Sequence, residues 1–294
     1  MSRMTTTLVT GVGVLIGIGF LAVILTFAIY YTGPGKRADT DTEPVVLENT
    51  CTVPLGHNYT VNGSDIVIKR GLQVYMVTPA DPCSVQGAVI LVHNELGYYS
   101  KYNRFVAMTL AKREYTVAMP YFFQDGSFGL TQQDVHRKID HTLDYLREER
   151  NFEKIAIIGY GWGGTQVARA CALYRGHIKA GISLYASNVS PEMALAVVVP
   201  TFFIYASNDD GVPISDVIGI IELLRVANRF LPSTEAEEAA LNGSPVSVQI
   251  FENTTHAFAN TGDTMNDTSL LMTSEGTFSA MYSWLEYFMT SESN

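Results

Sequence analysis

The sequence predicts an α/β domain with a mostly parallel sheet flanked by helices, preceded by one N-terminal transmembrane helix. From Leu72 to Met289, short apolar segments alternate with longer amphipathic ones, which is typical of parallel strands covered by helices on both faces. Before them, Leu8 to Tyr31 is apolar and carries no charge. A chain of 294 residues that is 47% hydrophobic can hold one such domain and an appendage.

Strands and helices are predicted in regular alternation. The predicted strands are 72–77, 88–92, 115–119, 154–158, 180–184, 201–205 and 246–251. The predicted helices are 100–113, 131–150, 164–174, 214–230 and 275–289.

The chain divides into four predicted segments. Residues 1–7 are an N-terminal flank, 8–31 a transmembrane helix, 32–60 a polar linker and 61–294 the α/β domain. Roughly two dozen apolar residues suffice for a helix that crosses about 30 Å of hydrocarbon. The alternative is a cleaved signal peptide, but its apolar region usually has about 7–15 residues, and Tyr30–Pro34 does not resemble an A-x-A cleavage site.

The predicted span favours a single-pass membrane protein with membrane partners. Gly13 and Gly17 form a G-x-x-x-G pattern, which lets one helix face lie close against another membrane helix. Arg3 on one side and Lys36 with Arg37 on the other leave the orientation undecided. Acceptor sequences for N-glycosylation occur at Asn58, Asn62, Asn188, Asn242, Asn253 and Asn266. They favour a non-cytosolic domain, although turns collect the same residues, and an organelle or a bacterial inner membrane would both fit.

The composition excludes one class of partner and predicts no bound metal or cofactor. A formal net charge of −10 disfavours binding to nucleic acid through its phosphates. The three cysteines and six histidines lack the spacings of metal ligands. Cys51 and Cys83 could form a disulfide in an oxidising compartment, and the sequence leaves this open.

The segment Ile155–Gly164 combines an apolar strand, a glycine-rich turn and the start of a helix. Its pattern, G-x-nucleophile-x-G, is that of the elbow on which α/β-hydrolases carry a serine or cysteine. Gly161 occupies the nucleophile position in this sequence. The sequence therefore predicts the fold of an α/β-hydrolase without its nucleophilic side chain.

Two further residues complete the order elbow, acid and histidine. Asp209 lies in the loop after the predicted strand 201–205, and His256 follows the last predicted strand. In a catalytic triad the acid orients the imidazole, which takes the proton of the nucleophile. Asp209 and His256 could therefore be a hydrogen-bonded pair retained for structure or a catalytic dyad that acts on water.

These segments resemble the dienelactone hydrolase family. Gly159–Gly164 is similar to its G-Y-C-x-G-G elbow, Asn208–Pro213 to its D-x-x-V-P acid loop, and His256–Ala259 to its H-x-F-A sequence. The resemblance extends over 72–289, where the helix around Trp284 resembles the family's closing helix. It implies an α/β-hydrolase fold and descent from enzymes that act on esters or lactones.

The departures from the family pattern fall on its chemistry. Gly161 replaces the cysteine. The glutamate that handles the resting thiol corresponds to Asn94 in an ungapped match, or to Glu95 after a shift of one residue. Trp162 is expected beside the elbow, where the oxyanion is bound. Asn260 stands where one substrate-binding arginine is expected, and 121–125 contains no arginine for the other.

These departures lead to the hypothesis of a non-catalytic structural or accessory subunit of a membrane protein complex. Its expected contacts are the transmembrane helix and aromatic side chains on loops at the carboxyl edge of the sheet. These aromatic residues are Tyr98, Tyr99, Tyr102, Tyr121, Phe122 and Phe123. The alternatives are a membrane-tethered hydrolase with a water-based mechanism and a sensor that binds a small ligand in the former active site. With the other substrate-binding residues also replaced, Gly161→Cys or Gly161→Ser alone is not expected to create esterase activity.

Overall fold

The computed structural model of the protein describes residues 63–123, 130–227, 229–231, 246–259 and 268–290. Its strands are β1 (Gly63–Ile68), β2 (Leu72–Val77), β3 (Gly87–Val92), β4 (Tyr115–Pro120), β5 (Ile155–Tyr160), β6 (Ala180–Leu184), β7 (Thr201–Ala206), β8 (Phe230–Leu231) and β9 (Val246–Phe251). Its α-helices are α1 (Lys101–Ala111), α2 (Gln132–Asp144), α3 (Trp162–Leu173), α4 (Pro191–Ala196), α5 (Ile214–Val226) and α6 (Thr268–Thr290).

Within the described residues the strands form one sheet of nine, in the order β1-β2-β4-β3-β5-β6-β7-β9-β8. Strands β1 and β2 pair with each other antiparallel, and β2 pairs antiparallel with β4. Every other pairing is parallel. The prediction of a mostly parallel sheet flanked by helices is confirmed.

The central strands are apolar throughout because both faces of the sheet are covered. All residues of β3, β4 and β5 are buried. One face packs against α2, α3, α4 and α5. The other face packs against α1 and α6, where Trp284 stacks on Phe202 with ring centroids 5.2 Å apart. This two-sided burial explains why these strands read as continuous apolar segments rather than alternating ones.

The fold departs from the sequence prediction at short and irregular elements. β1, β8 and α4 were not predicted. The predicted helix 214–230 ends at Val226, and the chain then enters β8, with the Arg229 guanidinium donating to the carbonyls of Leu195 and Val197. The predicted helix 131–150 becomes a π-helical turn at Tyr145–Glu149.

No helix among the described residues is long and apolar enough to cross a membrane. The predicted span Leu8–Tyr31 lies outside the described residues, together with Gly13, Gly17 and Cys51. The structure therefore leaves that prediction untested. Cys171, which lies on α3, is fully buried in the core beside Gly181.

Candidate active site

The elbow between β5 and α3 keeps the backbone geometry of a strand-to-helix turn. Gly161 has φ 54° and ψ −119°, a conformation in which a residue with a Cβ atom is strained. Its N–H donates to the carbonyl of Leu184 at the end of β6, over 2.9 Å. The elbow is thus fixed to the neighbouring strand although no side chain projects from its apex.

The Glu95 carboxylate lies where a side chain at the elbow would begin. The backbone N–H of Trp162 donates to Glu95 Oε1 over 2.8 Å. A Cβ atom placed on Gly161 would lie 2.7 Å from Glu95 Oε2 and 3.2 Å from Oε1. A nucleophilic side chain could not enter this space unless the carboxylate moved.

Asn94 stabilises the loop after β3, whereas its neighbour Glu95 contacts the elbow. It is buried, and its side-chain oxygen accepts from the Leu96 N–H at 3.1 Å and from Asn103 Nδ2 at 2.9 Å. These bonds hold the loop between β3 and α1. Of the two residues that the sequence left open, the structure therefore brings Glu95 to the elbow and places Asn94 in the support of the loop.

Asp209 and His256 form a hydrogen-bonded pair. His256 Nδ1 lies 2.8 Å from Asp209 Oδ2. The side chain of Asp209 is fully buried, and its Oδ1 accepts from the N–H groups of Gly211 and Val212 at 2.8 and 3.1 Å. The His256 side chain is 43% exposed. With Nδ1–H donating to the carboxylate, Nε2 is the ring nitrogen left to exchange a proton.

Backbone contacts join the two loops that carry this pair. The Asn208 N–H donates to the Thr254 carbonyl over 2.9 Å, and the Asn253 N–H donates to Ser207 Oγ over 2.9 Å. Asn253 and Ala257 both have positive φ, at 56° and 59°, so the chain turns sharply on either side of Thr254 and His256. These contacts therefore hold the loops of Asp209 and His256 in fixed relative positions.

His93 forms an aromatic wall next to the elbow with Phe122, Phe123 and Trp162. The His93 ring centroid lies 4.9 Å from that of Phe123 and 6.3 Å from that of Trp162. Its Nε2 accepts from the Phe122 N–H at 3.2 Å, so the proton is on Nδ1, which lies 3.0 Å from the carbonyl oxygen of Asn94. Burial lowers the pKa of His93 to about 4. Sequence reasoning missed this residue, although it directly precedes the Asn94–Glu95 pair.

The buried, neutral His93 predicts a loss of stability in acid. Because the pKa of His93 is about 4 when folded and about 6.5 when unfolded, the unfolded state binds the extra proton between these values. The free energy of unfolding is therefore expected to fall by about 3 kcal/mol as the pH falls from 6.5 to 4. Denaturant unfolding across this range should show a steeper loss for wild type than for His93→Gln.

The exposed His177 provides the control for this pH dependence. His177→Gln removes an exposed imidazole that contacts Arg147, and its pH profile is compared with those of wild type and His93→Gln. Parallel pH profiles for wild type and His93→Gln would contradict the assignment of a neutral His93.

The remaining aromatic residues form a second cluster away from the elbow. Tyr98 stacks on Tyr121 with ring centroids 4.7 Å apart, and Tyr99 meets both rings edge-on. The Tyr98 hydroxyl donates to Asp65 over 2.6 Å, next to the Arg104–Asp65 ion pair. Of the six aromatic residues singled out in the sequence, Phe122 and Phe123 contact the elbow's Trp162. Within the described ranges, no three His, Cys, Asp or Glu side chains converge in a way that could hold a metal ion.

The mostly parallel sheet, the elbow after β5, the acid after β7 and the histidine after β9 define the α/β-hydrolase fold. More narrowly, the chain belongs to the dienelactone hydrolase family, whose model matches residues 72–289.

The similar proteins agree with this assignment. The carboxymethylenebutenolidase homologue of Mus musculus is 28% identical over 194 residues, which cover 60% of this chain and 78% of that protein. The human homologue is 27% identical over 193 residues, covering 60% and 77%. A Klebsiella pneumoniae structure assigned as a dienelactone hydrolase has a TM-score of 0.61 at 16% identity, covering 77% of this chain and 98% of its own. The Pyrococcus furiosus esterase Pf2001 has a TM-score of 0.54 at 13% identity, covering 77% and 93%.

These comparisons contradict the prediction that the chain is not an enzyme. The family is one of hydrolases, and the similar curated proteins carry the name of a hydrolase. The prediction rested on the missing side chain at Gly161 together with the missing substrate-binding arginines. The acid and histidine remain paired, and Glu95 supplies a carboxylate beside the vacant position.

Proposed function

We propose that this protein is a membrane-tethered hydrolase of esters or lactones in which water attacks the carbonyl carbon directly. The observation that carries the proposal is the hydrogen bond between His256 Nδ1 and the buried Asp209 carboxylate, with the imidazole partly exposed. A dyad of this kind can move a proton during catalysis whether the attacking oxygen belongs to a side chain or to water.

The missing nucleophile makes direct attack by water the natural form of this chemistry. Gly161 offers no atom that could form an acyl-enzyme, so the substrate would be cleaved without a covalent enzyme intermediate. A free water lacks the proximity advantage of a fixed nucleophile, and a modest rate is expected for that reason.

Charge at the site favours an uncharged substrate. The exposed Glu95 carboxylate lies at the elbow, where it would repel an anionic acyl group. The half-buried Trp162 ring, which packs on Phe123, offers an apolar surface instead. Neutral esters and lactones fit this combination better than the carboxylated substrates for which the family's arginines are suited.

The tether is the apolar segment Leu8–Tyr31, whose length and lack of charge support a membrane span. The Gly13–Gly17 pattern supports association with other membrane helices, and the domain is proposed to lie on the non-cytosolic side. Extraction of the full chain tests the membrane span, because a protein with a helix embedded in the membrane is brought into solution only by detergent.

The catalytic proposal is tested on the full chain purified in mild detergent, with p-nitrophenyl acetate as the substrate. We expect slow turnover by the wild type and a loss of about 10²-fold or more in kcat for His256→Ala. Asp209→Asn should also lower kcat, because the amide no longer orients the imidazole through a charged hydrogen bond.

His177→Ala is the matched control for the loss of an imidazole, since His177 is exposed and lies outside the site. It should turn over like the wild type. Equal rates for wild type and His256→Ala would refute the proposal, even if both preparations released nitrophenol.

A further inference from the structure

We propose that Glu95 is the general base of this site, so that a carboxylate supplied by the loop after β3 replaces the nucleophile missing from the elbow. This inference rests on the proposed hydrolase function and deepens it. In the elbow architecture the imidazole faces the nucleophile position, and the Glu95 carboxylate borders that position here.

The two carboxylate oxygens of Glu95 are placed differently. Oε1 accepts the Trp162 N–H over 2.8 Å, which fixes the carboxylate at the first turn of α3. No other hydrogen bond of Glu95 is formed with the described part of the chain, so Oε2 is available to accept from water. Because Glu95 is exposed, solvent reaches it without any rearrangement of the core.

The Glu95 carboxylate is the group beside the elbow that can accept a proton from water.

The proposed reaction divides the proton transfers between Glu95 and His256. Glu95 takes one proton from water as the water oxygen bonds to the carbonyl carbon. This proton passes through solvent from Glu95 to Nε2 of the His256 imidazole. The imidazolium formed in this way gives the proton to the alkoxy oxygen as the tetrahedral intermediate loses its alkoxy group. One water is consumed, one carboxylic acid and one alcohol are formed, and both side chains regain their starting states.

A purely structural role is the rival explanation, in which Glu95 only caps the N-terminus of α3. Glu95→Gln separates the two roles, because the amide oxygen can still accept the Trp162 N–H but is a far weaker base. Glu95→Ala removes both roles and opens space for a small carboxylate.

The test measures kcat for p-nitrophenyl acetate with the full chain in detergent. We expect Glu95→Gln to lose about 10²-fold or more in kcat while its thermal unfolding midpoint stays at the wild-type value. Added formate should partly restore the activity of Glu95→Ala but not that of His256→Ala. Glu252→Gln, which neutralises an exposed carboxylate at the end of β9, is the matched control and should keep the wild-type rate.

The outcomes separate this inference from the proposed function. If Glu95→Gln keeps the wild-type rate while His256→Ala loses it, the hydrolase proposal stands and the role of Glu95 is refuted. If Glu95→Gln loses activity but also has a lower unfolding midpoint, and formate does not restore the activity of Glu95→Ala, Glu95 is a structural cap and the inference fails. If the wild type has no activity that depends on His256, both proposals fail together.

Discussion

Gly163→Ala is expected to destabilise the domain by at least about 3 kcal/mol, because a methyl group has no room at this position. A Cβ atom on Gly163 would lie 2.2 Å from the carbonyl oxygen of Val92 and 2.8 Å from that of His93. Both obstacles are backbone atoms at the end of β3, so no side-chain rotation can relieve the overlap. The central strands and α3 would have to separate.

The consequence should be visible in thermal unfolding. For a domain of this size, 3 kcal/mol corresponds to a midpoint lowered by roughly 6–12 °C. The chain has two tryptophans, Trp162 and Trp284, and both lie in the α/β domain. Their fluorescence therefore follows the unfolding of this domain in the full chain.

Gly219→Ala is the matched control. Gly219 lies within α5, and the nearest atom to an added Cβ would be Pro191 Cγ at 3.8 Å, an ordinary contact. Alanine favours a helix interior over glycine by about 1 kcal/mol, so this variant should be as stable as wild type or more stable. A midpoint for Gly163→Ala within 2 °C of wild type, where about 2–4 °C corresponds to 1 kcal/mol, would contradict the packing of the elbow.

Gly161→Ser is expected not to raise turnover, although it restores a hydroxyl at the nucleophile position. Its Cβ would lie 2.7 Å from Glu95 Oε2, so the carboxylate must shift from its position beside the Trp162 N–H. Serine also carries strain at φ 54°, of the order of 1–3 kcal/mol. The variant thus disturbs the proposed base and adds a serine to a site without the family's other substrate-binding residues.

The measurement compares steady-state rates and unfolding midpoints for wild type, Gly161→Ser and Gly161→Ala. Alanine is the control because it brings the same Cβ and the same backbone strain without a hydroxyl. Both variants should be less stable than wild type and no faster. A serine variant that exceeds wild type, with acyl-enzyme detectable by mass spectrometry, would instead mean that the triad lacked only its nucleophile.

The sequence predicted the architecture well where hydrophobic segments are long and both faces of the sheet are buried. The seven predicted strands are all present, because apolar runs such as Gly87–Val92 have few alternatives in a chain of this composition. β1 was missed because Gly63–Ile68 is an edge strand with polar residues in its first half. α4 has six residues, too few for a helical period to stand out.

The residues of the site could be predicted from the sequence, but their arrangement in space could not. The order of elbow, acid and histidine follows from motifs, and the structure brings Asp209 and His256 within 2.8 Å. Whether Asn94 or Glu95 reaches the elbow depends on how the loop turns after β3. The sequence alone does not determine this turn, because the two possible matches to the family motif differ by only one residue. The hydrogen bonds of Asn94 to Leu96 and Asn103 fix that turn and direct Glu95 to the elbow.

The prediction that the chain is not an enzyme came from residues that the sequence lacks, and its membership of a hydrolase family contradicts it. A missing side chain at Gly161 is certain from the sequence, but the position of a replacement group is a property of the fold. The Glu95 carboxylate comes from a different loop, and only the structure places it beside the glycine.

The early time course of p-nitrophenyl acetate hydrolysis by the full chain tests the central claim most directly. Because water is proposed to attack without formation of an acyl-enzyme, release of nitrophenol should be linear from the first turnover. The protein should gain no acetyl mass, and the slope should be lost in His256→Ala. A burst equal to the protein concentration, or a slope that survives His256→Ala, would contradict the account.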